Sequence, residues 1–209
     1  MLPAHPSTPT PPPAAPADLP PLTPAERANR LGQTAFVVWF TGLSGAGKST
    51  LGQALERALH QAGRHTMLID GDQLRQGLCQ GLGFSDADRH ENLRRAAELA
   101  RCLMDAGLIV IATFITPREA DRALVRAVVG AQRLVEVYVD TPLATCEARD
   151  PKGLYRRARR GELSQMTGLG SPYEPPQAPD VVLDGAADDR DAEVARLLQW
   201  LATHLQAEA

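Results

Sequence analysis

Eight consecutive residues, Gly42-Leu43-Ser44-Gly45-Ala46-Gly47-Lys48-Ser49, combine three glycines with a lysine and a hydroxyl in the G-x-x-x-x-G-K-S pattern, and Thr50 follows directly. Glycines let successive backbone N–H groups turn toward phosphate oxygens, and a helix starting at the loop's end adds favourable potential for an anion. Lys48 is then placed to reach the β- and γ-phosphates of a bound nucleotide, and the Ser49 hydroxyl suits a magnesium ion. Such a loop implies ATP binding wherever a strand precedes it and a helix follows.

Asp70-Gly71-Asp72 is the next group able to do chemistry. Carboxylates beside a triphosphate can orient magnesium or take a proton from an attacking hydroxyl; Asp72 equally suits the N-cap of a helix. Downstream, Arg75, Arg89, Arg94 and Arg95 surround Phe84 and Asn92. Guanidiniums grip phosphate or sulfate oxygens and an aromatic face stacks a base, whereas Glu91 and Glu98 would simply balance a solvated helix face. A second basic cluster, Lys152 to Arg160, is bracketed by Pro151 and Gly161. It reads as a mobile lid bringing cations over a transferring phosphoryl group, or as a nucleic-acid patch, which its lack of aromatics beyond Tyr155 disfavours.

These residues must be positioned by strands and helices in alternation. The apolar run Phe36–Thr41 reads as a buried strand, and Leu51, Leu55 and Leu59 mark the helix after the loop. His65–Ile69 reads as a second strand, Asn92–Ala106 as a helix, and Leu108–Phe114 as a third strand. Pro117 opens a further helix. Leu134–Val139 is a fourth strand before a helix led by Pro142, and Val181–Leu183 a fifth before a closing helix from Asp191. The expected fold is α/β: a parallel, P-loop NTPase-type sheet of about five strands with helices on both faces and a mobile lid. Right-handed crossovers then bring the loop, Asp70, Asp72 and Thr116 to one rim.

The chain of 209 residues is long enough for one domain. Ten of its 17 prolines fall by Pro24, so residues 1–29 read as a Pro-rich, disordered tail and 30–209 as the folded domain. Twenty-two Lys and Arg against 25 Asp and Glu give a net charge of −3, which argues against a nucleic-acid partner. Cys79, Cys102 and Cys146 lack any metal or disulfide spacing. No apolar stretch spans a bilayer and no secretory signal is present, so a cytoplasmic location is expected.

Several stretches together resemble the adenylylsulfate kinases: Val38 to Thr50, Asp70-Gly71-Asp72, Leu82 to Arg89, Glu91 to Arg95, Asp140 to Leu143, and Cys146 to Tyr155. The resemblance implies transfer of the ATP γ-phosphoryl to the 3′-hydroxyl of adenosine 5′-phosphosulfate (APS), with magnesium as cofactor. It assigns Arg75, Arg89 and Asn92 to the acceptor's phosphosulfate and adenosine, with Phe84 stacking on adenine. Ile115 lines that pocket, while Lys152 and Leu154 close it. Lys48, Asp70 and Asp72 become catalytic, and Ser49 and Asp70 serve the metal. A homodimer and an association with ATP sulfurylase are further implications. Two positions depart from the family: Thr116 stands where serine is usual, keeping a hydroxyl with weak catalytic credentials, and Met166 stands where a second stacking phenylalanine is usual. The readings competing with this one are a P-loop kinase of another small molecule and a nucleotide-gated binding module.

Overall fold

Alternate residues of one short strand divide the hydrophobic core in two. In β1 (Val37–Thr41) all five residues are buried; Val38 and Phe40 join one apolar cluster, Val37 and Trp39 the other. A strand covered on both faces belongs inside a parallel sheet. The computed structural model describes residues 20–205, and in it β1 is the central strand of five, flanked by β2 (Thr66–Asp70), β3 (Ile109–Thr113), β4 (Leu134–Asp140) and β5 (Val181–Asp184). The order is β2-β3-β1-β4-β5 and every pairing is parallel. The five-stranded sheet with helices on both faces therefore stands as expected.

On one face lie α2 (Lys48–Gln61) and α8 (Arg190–Leu205), contributing Leu51, Leu55, Leu59, Val194, Leu197 and Leu201. On the other lie α4 (Asp86–Asp105) and α5 (Glu119–Val129), with Leu93, Ala96, Ala97, Ala100, Met104, Val125 and Val129. The short helices α3 (Gly71–Gln76), α6 (Leu143–Arg149) and α7 (Leu154–Arg159) sit in the connections at the carboxyl rim. In-register pairs such as Asp70 with Thr113 and Asp140 with Asp184 bring the strand ends level along that rim. Among the described residues no helix is long and apolar enough to cross a membrane.

Three local expectations need correction. The expected tail reaches too far: Pro24–Arg30 forms helix α1, closed by a capping box in which the Thr23 hydroxyl accepts from the Glu26 N–H and the Glu26 carboxylate accepts from the Thr23 N–H. Ala28 of α1 is buried, and Arg27 donates to the Asp105 carbonyl at the end of α4, so the folded body begins before residue 30. Residues 1–19 lie outside the described residues. Second, α4 starts six residues earlier than expected, because Ser85 caps it by accepting from the Asp88 N–H at 3.1 Å. Asp86 to Glu91 are polar apart from Ala87, so that first turn carries no apolar period. Third, the helix that follows β2, α3, is capped by Asp70 rather than Asp72.

Candidate active site

The phosphate loop leaves β1 at Gly42 and enters α2 at Lys48. Gly47, the cap of α2, has φ 106°, a backbone region that L side chains rarely adopt and glycine enters freely. Lys48 is buried, and its Nζ donates to the carbonyls of Gly42 (2.9 Å) and Leu43 (2.7 Å), so the ammonium is held over the loop. Burial lowers its pKa to about 8, and the positive charge of Lys152 pushes in the same direction. A buried cation short of negative charge favours an anion beside it.

The loop is braced from behind by groups far away in the chain. Thr141 donates to the Ala46 carbonyl (2.9 Å) and Tyr155 to the Ser44 carbonyl (2.9 Å). Arg149 donates to the Gly185 carbonyl (2.7 Å), fixing the turn after β5 against the loop. None of these four residues is given a bracing role by the sequence: Thr141 and Gly185 directly follow β4 and β5, Arg149 ends α6 and Tyr155 lies in α7.

Asp70 ends β2 beside the loop. Its Oδ2 accepts from Ser49 and from Thr113, both at 2.7 Å, and its Oδ1 from the Asp72 N–H at 2.9 Å. Burial by itself pushes this carboxyl up, but the three hydrogen bonds, helped by Lys152, outweigh burial and leave the pKa below the usual aspartate value. Asp70 is therefore an anion at any physiological pH. The carboxylate and the Ser49 hydroxyl offer hard oxygens side by side, which fits magnesium. Among the described residues no group of three or more His, Cys, Asp or Glu is arranged to hold a metal.

Both ends of the site open into one cleft of about 710 Å³, within the range of small-molecule sites. Ser44, Gly45, Gly47, Lys48, Ser49 and Thr50 line its loop end, joined by Arg149, Gly185 and Arg190. Asp72, Arg75, Phe84, Arg89, Asn92, Ile115, Thr116, Lys152 and Leu154 line the other end. Phe84 is 63% exposed, with the Arg75 guanidinium 4.4 Å from its ring centroid and that of Arg89 at 5.9 Å. Arg89 also clips the cleft together, donating to the Phe84 carbonyl, the Thr167 hydroxyl and the Gln165 carbonyl. Burial and the neighbouring Arg75 both lower its pKa, so the pair of guanidiniums also favours an anion between them. Asn92 is 5% exposed, and its Oδ1 has no hydrogen-bond partner among the described residues.

Three expected site features are placed differently. Met166 does not reach the cleft: it is buried in the core cluster beneath the loop, so its neighbour Thr167, not Met166, meets Arg89. Thr116 does line the cleft, but its hydroxyl is 2.8 Å from Trp39 Nε1 and accepts that buried indole N–H, in a residue only 1% exposed. That hydroxyl is therefore engaged by the indole at the wall of the cleft. Of the basic cluster, only Lys152 and Leu154 face the cleft. Arg157 and Arg160 pair with Glu162 and Arg159 with Glu147, while Tyr155 anchors α7 in the core.

A parallel sheet whose central strand feeds a glycine-rich loop, with Lys48, Ser49 and Asp70 gathered at its mouth, defines a P-loop phosphotransferase. The model of the adenylylsulphate kinase family matches residues 34–184, and the chain belongs to that family of ATP-dependent kinases. It is 52% identical over 180 residues to an adenylyl-sulfate kinase of Shewanella amazonensis, covering 86% of this chain and 91% of the relative. With the corresponding enzyme of Citrobacter koseri the identity is 58% over 164 residues, 78% of this chain and 82% of the relative. Among solved structures, the Mycobacterium tuberculosis APS kinase CysC in complex with AMPPNP and APS superposes with a TM-score of 0.77 at 45% identity, covering 81% of this chain and 98% of that one. A gluconokinase from Sinorhizobium meliloti, at 20% identity and a TM-score of 0.54, covers 81% of this chain and 93% of that one and shares the fold alone.

Proposed function

We propose that this chain transfers the γ-phosphoryl group of ATP to the 3′-hydroxyl of adenosine 5′-phosphosulfate, giving 3′-phosphoadenylylsulfate and ADP. The observation that carries the reading is one cleft with Lys48, Ser49 and Asp70 at its loop end and Arg75, Phe84, Arg89 and Asn92 at its far end. An acceptor that pairs a flat base with a doubly anionic phosphosulfate matches an exposed aromatic ring flanked by two guanidiniums. A small polyol such as gluconate uses neither. Asn92 Oδ1 is the acceptor left for a donor on the nucleoside.

Phosphoryl transfer runs through a loose transition state, so the protein's task is positioning and charge stabilisation. The loop N–H groups and Lys48 hold the β- and γ-phosphates. Ser49 and Asp70 would hold magnesium, which would supply positive charge to offset that of the phosphates. Asp70, kept ionised by its three donors, is poorly suited to taking a proton. Asp72, ion-paired with Lys152 across the cleft, is left to orient the acceptor hydroxyl and receive its proton. Lys152 and Leu154 cover the acceptor. The competing binding-module reading gives no reason for a pair of carboxylates beside the loop.

Asp70→Asn tests the anion requirement. Two of its donors, Ser49 and Thr113, would face an amide in place of a carboxylate, and kcat is expected to fall roughly 10²-fold or more with little change in acceptor KM. A matching fall in thermal stability with kcat preserved would contradict the assignment. Phe84→Ala is expected to raise the acceptor KM about tenfold, the worth of one base–aromatic stack, while ATP KM and melting temperature hold because the ring is mostly exposed. The reading itself is tested by ADP release with APS, adenosine 5′-monophosphate or gluconate as acceptor. APS alone should support rapid turnover, and an equal response to gluconate would overturn the acceptor assignment.

A further inference from the structure

One residue of the acceptor wall holds a backbone conformation its side chain disfavours. Thr116 has φ 44°, and a β-branched residue stays in the left-handed region only where its surroundings impose it. Here they do. Trp39 donates to the Thr116 hydroxyl, Arg122 Nη1 donates to the Thr116 carbonyl at 3.2 Å, and Thr41 Oγ1 lies 2.7 Å from the Ile115 carbonyl and 3.3 Å from that of Thr116.

Arg122 is itself unusual. It is 3% exposed, and Glu136, in the middle of β4, is 4% exposed. Arg122 Nε lies 3.4 Å from Glu136 Oε1, yet among the described residues neither atom makes a hydrogen bond. Glu119 accepts from Arg122 Nη2 at 2.7 Å and Arg126 covers the other Glu136 oxygen. Burial raises the Glu136 pKa, against the pull of Arg126 and Arg122. A buried ion pair this imperfect is a weak source of stability, and apolar replacements of equal volume often fold as well. Its distinctive output is the single donor it aims at a strained turn beside the acceptor.

We propose that Arg122 is a positioning residue for the acceptor: anchored by Glu119 and Glu136, it locks Thr116 in the left-handed conformation and so fixes Ile115 and Pro117 as a rigid wall of the acceptor end. The proposal rests on the reading of that end of the cleft as the acceptor site. Arg122→Met combined with Glu136→Met removes the pair without stranding a buried charge. Its melting temperature should stay within a few degrees of the parent, its acceptor KM should rise about tenfold, and its ATP KM should stay within twofold. Arg122→Lys keeps the charge that balances Glu136 but gives up the forked geometry; it is expected to fold and to show the same split, which covers the case of a double variant that fails to fold. An unchanged acceptor KM in a folded variant, or equal losses for ATP and acceptor, overturns the proposal. The parent protein in the same assay separates the two questions: if APS fails to stimulate it, the acceptor reading falls, whereas stimulation in the parent with no split in the variants removes only the role of Arg122.

Discussion

Lys48→Met is expected to give a protein more stable than the parent at pH 7 and roughly 10²- to 10³-fold slower. The stability gain follows from burial. The folded-state pKa of about 8 lies below the 10.5 of an unperturbed lysine, because the ammonium is desolvated and repelled by Lys152. Below pH 8 both states hold the proton, and the folded state bears the full cost of a buried charge, about 1–3 kcal/mol after the two carbonyl hydrogen bonds are set against it. Between pH 8 and 10.5 the unfolded chain binds the extra proton, so stability from this group rises with pH. The difference between variant and parent should therefore shrink from pH 7 to pH 9.5 in urea titrations. A constant difference would show that Lys48 is not the titrating group. Nucleotide phosphates reverse the balance by favouring the charged form, so ATP affinity should be full below pH 8 and weaken above it in the parent, with no such dependence in the variant.

Gly185→Ala is expected to be the most damaging single methyl group in the site. A Cβ there would lie 2.1 Å from Thr141 Oγ1, 2.3 Å from the Ala46 carbonyl and 2.6 Å from Val139 Cγ1. None of these is the free end of a long side chain. Thr141 is committed to Ala46, and Ala46 belongs to the phosphate loop. The methyl group must therefore move the loop or the turn, at a cost of about 3 kcal/mol or more, or roughly 6–12 °C in melting temperature for a chain of this size. ATP KM should rise at least tenfold, since the displaced carbonyl is the partner of Arg149 at the loop end of the cleft. Gly63→Ala serves as the comparison: its added Cβ meets nothing within 4 Å, so only the left-handed backbone at φ 76° is penalised, about 1 kcal/mol. Equal losses in the two variants would mean that Gly185 is not packed as described.

What could be read from the residues in order was local chemistry. The phosphate loop and Asp70-Gly71-Asp72 lie in unbroken stretches whose spacing carries its own meaning, and the parallel sheet follows from apolar runs alternating with helical periods. What escaped was tertiary. Thr113 is an ordinary strand threonine until the β2–β3 register sets it against Asp70. Thr141, Tyr155 and Gly185 matter only because β4, α7 and β5 converge behind the loop. Met166 was expected to be a stacking group because of the residue type usual at that position, yet the chain after α7 turns it into the core. Thr116 shows the same limit in another form: its hydroxyl is visible in the sequence, but the Trp39 indole that claims it lies 77 residues away. Helix α1 was hidden by the prolines around it, although Thr23, Pro24 and Glu26 together spell a helix start.

The destination of the phosphoryl group decides between the acceptors. The most direct test incubates the full chain with magnesium, APS and ATP labelled at the γ-phosphate, separates the nucleotides, and treats the labelled product with a 3′-specific nucleotidase. Label in 3′-phosphoadenylylsulfate that the nucleotidase releases, in stoichiometric step with ADP and lost in Lys48→Met, is the predicted result. Label appearing as inorganic phosphate regardless of APS, or in a product that resists the 3′-nucleotidase, would contradict it.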